Sequence, residues 1–327
     1  MIKRFKRNTT DAIPAASKQW TKAKVQKKIS SATLSFMRAL LLIGLSFVVL
    51  YPLLIKVTLS FMTVEDVYDL SVRYIPNHFT ILNYRRVWEF LDMSSLVWNS
   101  FRIPLFSALL SVMSCTLVAY GIARHDFPGK KLVFALVILG LVIPPDLILL
   151  PQYIEFRFFD LLGLGEAIGL GSLNLLNTDW PFYLLAGTCT GLRNGIYIFM
   201  LVQYFRGMPK EIEEVAYVDG AGTMKTLVYV FLPNAVQMMI PVFLFSFVWQ
   251  WMDDIYTSTF AQEMSLLSTS ITQLIQGYST EFDVTNVTEF SLMRNAGIIF
   301  LILPPLILYV FFQRYFTESV ARSGIVG

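Results

Sequence analysis

Apolar residues along the chain fall into six long stretches that hold few or no charged side chains. A membrane-spanning helix needs about 20 mostly apolar residues to cross roughly 30 Å of hydrocarbon. Lys56, Asp146 and Arg193 are the charges inside these stretches, and Lys56 is near enough to an end to reach the membrane surface. The pattern predicts six spanning helices, at residues 39–61, 103–123, 132–154, 180–205, 234–252 and 295–313.

Proline pairs lie inside two of these stretches, at 144–145 and 304–305. Proline is tolerated in a membrane helix when neighbouring helices satisfy the carbonyl groups that it frees. We therefore expect the third and sixth spans to continue through their prolines.

Lysine and arginine are distributed unevenly between the two ends of the predicted spans. With the N-terminus inside, residues 1–38, 123–131, 204–233 and those after 313 hold 18 of the 26 basic residues. Basic residues favour the cytoplasmic side, so we expect both termini to be cytoplasmic. The division expected is a basic N-terminal arm at residues 1–38 and a transmembrane domain at residues 39–327. The arm is not a secretory signal; it either serves only to set the topology or also contacts anionic lipid headgroups.

Composition supports a membrane protein and excludes several other classes. Charged residues make up 15% of the 327 residues and the hydrophobic set makes up 55%, whereas about 25% charged residues is usual for soluble proteins. Two cysteines and two histidines are too few for a disulfide framework or a zinc site. No phosphate-binding G-x-x-x-x-G-K-[ST] motif is present, so any ATP hydrolysis is expected in a partner.

The segment between the fourth and fifth spans, residues 206–233, has the signals of a short helix. Pro209 suits a first helical turn, where its missing N–H costs nothing. Glu211, Glu213 and Glu214 follow, and carboxylates are favoured at the positive end of a helix. Gly220 then predicts an end in the left-handed conformation.

A second short helix is predicted through residues 224–232, before Pro233 and the fifth span. Two short helices with a glycine at the bend form a helix-turn-helix at the cytoplasmic surface. Such an element is typical of a docking site for another protein, the alternative being a surface helix whose carboxylates only stabilise its own dipole.

These residues resemble a known family. Glu214-Val215-Ala216, three residues, Gly220, nine residues and Val230-Phe231-Leu232-Pro233 are similar to the E-A-A-x3-G-x9-I-x-L-P loop of ABC importer permeases, with Val215 and Val230 as departures. The surroundings resemble the second permease subunit of the maltose-type, carbohydrate-uptake branch. Further matches are Trp98-Asn99-Ser100, Ala119 to Arg124, Phe127 to Lys130, Trp249-Gln250-Trp251 and Gly324 to Gly327.

The resemblance implies a non-enzymatic, multi-pass subunit of a sugar importer in the cytoplasmic membrane. It implies a heterodimer with a homologous permease, two ATP-binding subunits that hold ATP and Mg²⁺, and an extracytoplasmic solute-binding protein; no cofactor in this chain and no nucleic acid partner are expected. The coupling residues implied are Glu213, Glu214, Ala216, Asp219, Gly220, Ala221, Leu232 and Pro233.

Polar residues within the spans are candidates for the cargo pathway, because charges inside a membrane are costly. Arg193 is one, and it either binds cargo or forms a structural pair. A second group lies at the end of the fifth span and consists of Trp249, Gln250, Trp251 and Asp253. These residues either bind sugar or form an interfacial aromatic belt with ordinary charges at the end of a span.

Other functions stay open at this point. One alternative is an importer of the same family whose cargo is a non-sugar solute, such as an amino acid or phosphate. A channel or secondary carrier working alone predicts internal repeats and no docking loop, and a membrane scaffold predicts no transport at all.

Overall fold

The computed structural model describes the backbone of residues 15–160, 163, 165, 169, 171–191, 193–271, 274 and 287–323, and the side chains of those between 33 and 315. The chain divides into two compact units, one ending at Thr58 and one beginning at Leu59. In the described residues the structure is helical, apart from one isolated β-bridge between Phe159 and Leu173. The segment 324–327, matched above, lies outside the described residues.

The helices are numbered here in chain order. They are α1 (Ala15–Ser60), α2 (Val64–Tyr68), α3 (Leu82–Phe90), α4 (Met93–Arg124), α5 (Lys130–Val142), α6 (Asp146–Arg157), α7 (Trp180–Gly187), α8 (Asn194–Arg206), α9 (Glu211–Val218), α10 (Thr223–Thr226), a π-helix (Leu227–Phe231), α11 (Leu232–Trp251), α12 (Ile255–Phe260) and α13 (Val287–Ser323).

The first unit consists of helix α1 as far as Thr58. From Thr33 the helix is apolar enough to cross a membrane, and its side chains up to residue 50 are exposed. A helix that exposes apolar side chains all round is suited to a lipid environment. Helix α1 also extends back to Ala15, into the basic arm.

Helix α4 is the centre of the second unit. It packs against α7, α8 and α11, and α11 packs in turn against α13. The buried side chains form three hydrophobic clusters, and the one that bears on function surrounds Tyr120, Phe205 and Phe231 near the C-terminal end of α4. Close packing of such clusters transmits displacement rather than absorbing it.

Four described helices are long and apolar enough to span a membrane: Thr33–Ser60, Met93–Arg124, Thr223–Trp251 and Val287–Tyr315. Helices α5 and α6 form a fifth span only if counted together, since they meet at a bend of 103°. The expectation of a continuous third span is therefore wrong. The residue before a proline disfavours the helical conformation, and Ile143, before Pro144, is extended.

The fourth predicted span is also broken. Helix α7 ends at Gly187 and α8 begins at Asn194. Between them Cys189 and Arg193 have left-handed backbone conformations, with φ of 61° and 59°, which non-glycine residues rarely adopt and which end a helix. The six-span count stays a prediction.

The second helix of the predicted helix-turn-helix is not separate. Helix α10, the π-helix and α11 form one helix of 29 residues, Thr223–Trp251. The N–H of Leu232 donates to the carbonyl of Leu227, a wider turn than the α-helix makes. This turn directly precedes Pro233, which has no N–H to donate. At about 1.5 Å per residue the helix is roughly 44 Å long, so it projects beyond a hydrocarbon layer of about 30 Å.

The segment between α1 and α3 is fixed by polar side chains. The amide of Asn83 donates to the carbonyls of Ser60 and Met62, both at 3.0 Å. Burial acts to raise the pKa of the Asp66 carboxyl, but hydrogen bonds from the backbone and ring of His78 outweigh burial and lower that pKa. The same ring contact, 2.8 Å long, raises the pKa of His78.

Candidate functional site

Helix α9 has the local structure that the sequence predicts. Glu211, Glu213 and Glu214 occupy its first turn. At its other end the N–H of Ala221 donates to the carbonyl of Ala216 at 2.9 Å, and the N–H of Gly220 donates to that of Tyr217 at 3.0 Å. This pair of bonds is a Schellman motif, which needs a left-handed residue. Gly220 supplies it with φ of 79°, so the predicted glycine-capped end is confirmed.

Arg124, the last residue of α4, attaches α9 to the bundle. Its Nη2 donates to the carbonyl of Met208 at 2.6 Å, and its Nη1 lies 3.7 Å from Oε2 of Glu213. Its guanidinium also stands over the ring of Phe231, 4.8 Å from the centroid. One side chain therefore connects α4, the segment before α9 and the π-helix.

This ion pair is largely removed from water, with the side chains of Arg124 and Glu213 only 5% and 12% exposed. The hydroxyl of Tyr217 donates to the other Glu213 oxygen at 3.0 Å. Removing one partner of a buried ion pair is costly, because the other charge is left uncompensated. Glu213 thus faces inward and positions the helix, whereas Glu214 is exposed.

Three aromatic rings pack together next to the Arg124 contacts. Tyr120 lies 5.1 Å from Phe231 and 6.0 Å from Phe205, measured between ring centroids. Phe205 and Phe231 are themselves 5.9 Å apart, and both are fully buried. The three rings thus join α4, α8 and the π-helix before α11 in one close-packed cluster.

The remaining surface of α9 and of the turn after it is not packed against any other described part of the chain. Val215, Val218 and Met224 are exposed there, Val218 to 87%. With the exposed Glu214 and Asp219 beside them, these residues make this side of α9 a candidate contact surface for another macromolecule. Of the other predicted coupling residues, Ala216 is buried, Ala221 and Leu232 are partly buried, and Asp219, Gly220 and Pro233 are exposed.

Arg193 and Trp249 are brought together at the break between α7 and α8. The Arg193 guanidinium lies 4.6 Å from the centroid of the Trp249 ring, and Tyr197 stacks on the same ring at 5.9 Å. Arg193 is exposed and lines an open cavity of about 440 Å³ with Thr190 and the apolar face of α5. This volume is within the usual range for ligand pockets.

Trp251 and Asp253 are held by contacts of their own. The Nε1 of buried Trp251 donates to the carbonyl of Leu301 at 2.9 Å. The Asp253 carboxylate accepts from the N–H of Thr257 at 2.9 Å, and so caps the start of α12. These placements favour structural roles for both residues.

Gln250 lies in a different place, at a small cavity of about 10 Å³ between α4 and α11. The cavity is also lined by Ser107, Ser111 and Ser246. Nε2 of Gln250 is buried and has no hydrogen-bond partner in the described structure. Such a volume is about that of a single water. No group of three possible metal ligands occurs among the described residues.

The sequence pattern predicts no role for Arg124 beyond its place in the run Ala119 to Arg124. The partners of Arg124 are far away along the chain, and nothing in the local pattern identifies them. Likewise, no sequence signal linked Arg102 to Asp179, whose side chains pair at 2.9 Å.

Comparison with known proteins gives one family. Residues 115–322 match the family described as the binding-protein-dependent transport system inner membrane component. That range includes α9, its Schellman turn and the break that holds Arg193.

Several similar curated proteins are permeases named for saccharides, and one is named for osmoprotective compounds. The chain is 26% identical over 86% of its length to the diacetylchitobiose uptake permease NgcG of Streptomyces coelicolor, covering 86% of that protein. It is 25% identical over 92% of its length to the arabinooligosaccharide permease AraQ of Halalkalibacterium halodurans, covering 100% of it. It is 26% identical over 85% of its length to the trehalose permease SugB of Mycobacterium tuberculosis, covering 93%.

A solved structure shares the fold. It is a bacterial ABC transporter involved in importing the acidic polysaccharide alginate, and it aligns with a TM-score of 0.64 and 20% identity. The alignment covers 88% of this chain and 98% of that one.

Proposed function

Because the chain belongs to the family of binding-protein-dependent transport system inner membrane components, we propose that it is a membrane-spanning subunit of an ATP-driven carbohydrate importer. The observation that carries this proposal is the exposed, glycine-capped helix α9, clamped to α4 by Arg124 and joined through one turn to the 29-residue helix that includes α11. A surface element built so rigidly into the spans is suited to passing on the motion of a partner.

The cargo is a sugar or oligosaccharide. This is supported by relatives named for diacetylchitobiose, arabinooligosaccharides and trehalose, each covered over at least 86% of its own length. Nothing in the described structure favours a non-sugar solute, a carrier working alone or a scaffold.

The mechanism follows from the placement of α9. Two ATP-binding subunits close on ATP and Mg²⁺, and one of them holds α9 in a cleft through Glu214, Asp219 and the exposed apolar residues. Closure then moves the end of α4 and the extended helix together, which switches access to a cargo site between the two sides of the membrane. A homologous permease completes the pathway, and an extracytoplasmic binding protein delivers the sugar.

The test is reconstitution of the chain with its partner permease, ATP-binding subunits and binding protein in lipid vesicles. Uptake of trehalose, diacetylchitobiose or arabinotriose should require hydrolysable ATP. Uptake driven by an ion gradient with no ATP-binding subunit would instead identify a secondary carrier, and no uptake of any kind would favour the scaffold.

Topology is open to a direct prediction. We propose that the protein lies in the cytoplasmic membrane. The helix α9 and the N-terminal end of α1 are then both on the cytoplasmic side. In a Cys115→Ala, Cys189→Ala background, an impermeant thiol reagent added to intact cells should label Asn77→Cys but not Glu211→Cys or Ser17→Cys. Labelling of the Glu211 position before lysis would reverse the orientation.

A second prediction concerns Arg193. We expect Arg193→Gln to lower uptake, by roughly fivefold if the guanidinium binds a neutral hydroxyl and by more than about tenfold if it binds a carboxylate. Arginine and glutamine are both unbranched at Cβ, so the change adds no β-branched clash at the left-handed position. The measurement is uptake per assembled complex in vesicles. The variant Arg193→Lys keeps the positive charge but not the planar guanidinium, and so tests whether charge alone is enough.

Unchanged uptake would remove Arg193 from the cargo pathway. A fall in the amount of complex recovered, with uptake per complex preserved, would assign Arg193 to structure through its contact with Trp249.

A further inference from the structure

A groove lies toward the N-terminal end of α4, far from its contact with α9. Arg102 and Arg124 are about 33 Å apart along α4 at the helical rise of roughly 1.5 Å per residue, close to the thickness of the hydrocarbon layer. Arg124 contacts the α9 segment, which the proposed function places in the cytoplasm. Arg102 is therefore at the outer end of the spans.

The groove has an open volume of about 390 Å³ and is formed by α4 and the start of α7. Arg102, Asp179, Trp180 and Tyr183 line it. The volume is within the range of ligand pockets, and the mixture of aromatic and hydrogen-bonding side chains is typical of them.

Charge in the groove is balanced. Nη2 of Arg102 donates to Asp179 at 2.9 Å, and the hydroxyl of Tyr183 donates to the other Asp179 oxygen at 3.3 Å. The Arg102 side chain is 32% exposed and that of Asp179 is 20% exposed. Because the charge of Asp179 offsets that of Arg102, the groove offers a cargo carboxylate little net attraction, whereas neutral hydroxyl groups need none.

Hydrogen-bonding capacity remains after these contacts. The Arg102 side chain is 32% exposed, and its guanidinium has five N–H donors, of which the bond to Asp179 uses one. A carboxylate accepts about four hydrogen bonds, and those from Arg102 and Tyr183 are the two found for Asp179 among the described residues. A donor and an acceptor are therefore available side by side, as a sugar hydroxyl requires.

An aromatic surface adjoins this pair. Trp180 is 58% exposed, and its ring meets that of Tyr183 edge-on at 6.4 Å between centroids and 78° between planes. An indole gives a large, rigid apolar surface. The C–H groups on one face of a pyranose ring pack well on such a surface.

We propose that this groove binds a neutral pyranose ring of the cargo at the outer mouth of the pathway. The ring packs on Trp180, and its hydroxyls accept from Arg102 and donate to Asp179. This inference rests on the proposed function, which supplies the carbohydrate cargo, and it adds where on this chain that cargo is met and which sugars are accepted.

The experiment measures sugar binding to the complete importer in lipid nanodiscs, without nucleotide or binding protein, by saturation-transfer NMR. The probes are trehalose and diacetylchitobiose, each at about 20 mM so that even millimolar sites fill, with digalacturonate as the acidic comparison. Trp180→Ala should weaken binding by roughly tenfold or more, the effect of losing an aromatic anchor, and Trp180→Phe should retain most of it.

Trp88→Ala is the matched control. Trp88 lies in α3 and is 51% exposed, close to the 58% of Trp180, but it does not line the groove. Its binding should equal that of the unaltered importer. Equal losses in the two alanine variants would make Trp180 a membrane-interface anchor and overturn the proposal. Absence of saturable binding of every neutral probe, or tighter binding of digalacturonate, would also overturn it.

Failure of this inference is distinguishable from failure of the proposed function. If the unaltered importer shows ATP-driven uptake while Trp180→Ala binds sugar normally, the groove proposal fails and the transport function stands. If the unaltered importer takes up none of the probes with ATP present, the transport function itself fails.

Discussion

Gly220→Pro is expected to abolish ATP-driven uptake while the protein still inserts into the membrane. Proline fixes φ near −65°, whereas Gly220 has φ of 79°. The change also removes the N–H that donates to Tyr217, so the Schellman turn is lost and α9 no longer presents its exposed face. None of the three hydrophobic clusters includes this residue, which is why insertion should persist.

Graded variants separate the backbone requirement from general damage. Gly220→Asn should retain most uptake because asparagine tolerates the left-handed region, and Gly220→Val should lose most of it at a conformational cost of about 1–2 kcal/mol. Gly222→Ala is the matched control, since Gly222 is exposed in the same turn with φ of −75° and has no atom within 4 Å of an added Cβ. Uptake, ATP hydrolysis and membrane level would be measured for each, and normal uptake by Gly220→Pro would contradict the role of α9.

Arg124→Met is expected to separate ATP hydrolysis from transport. The variant loses the bond to Met208, the ion pair with Glu213 and the contact over Phe231. It also leaves the Glu213 carboxylate largely buried without its cation, which costs about 3 kcal/mol for pairs of this kind. Helix α9 would still meet the ATP-binding subunit, but its motion would reach α4 poorly, so less sugar would enter per ATP hydrolysed.

The measurement is the ratio of sugar transported to ATP hydrolysed in vesicles. Arg124→Lys keeps the charge but not the planar fork, and should be intermediate. Adding Glu213→Gln to Arg124→Met should recover part of the loss, since the isolated charge is then removed. Arg206→Met is the matched control, because Arg206 also stands over a ring, that of Phe134 at 4.9 Å, but is exposed. An unchanged ratio in Arg124→Met would show that the contacts of Arg124 take no part in coupling ATP hydrolysis to transport.

Helix α9 was predictable because its signals are local. Its acidic first turn and the left-handed Gly220 depend on residues within a few positions of each other, and the structure has both. The docking interpretation could be made before any contact was known.

The shape of the spans was less predictable from the same kind of pattern. Hydropathy measures how apolar a stretch is, and so it gave the third and fourth spans as single helices. Ile143 before Pro144 and the left-handed Cys189 and Arg193 interrupt them. Conversely, Pro233 suggested a boundary, but the π-helix keeps the helical run from Thr223 continuous.

The sequence by itself determined the membrane class, the apolar segments, the glycine-capped helix α9 and the family, because each depends on composition or on spacing along the chain. The tertiary structure alone decided which side chains meet. Arg124 reaches Met208 and Glu213, Arg193 covers Trp249, and Arg102 pairs with Asp179. These contacts join helices that are remote in sequence, and they form because packing the bundle brings the helix ends together, which no local pattern encodes.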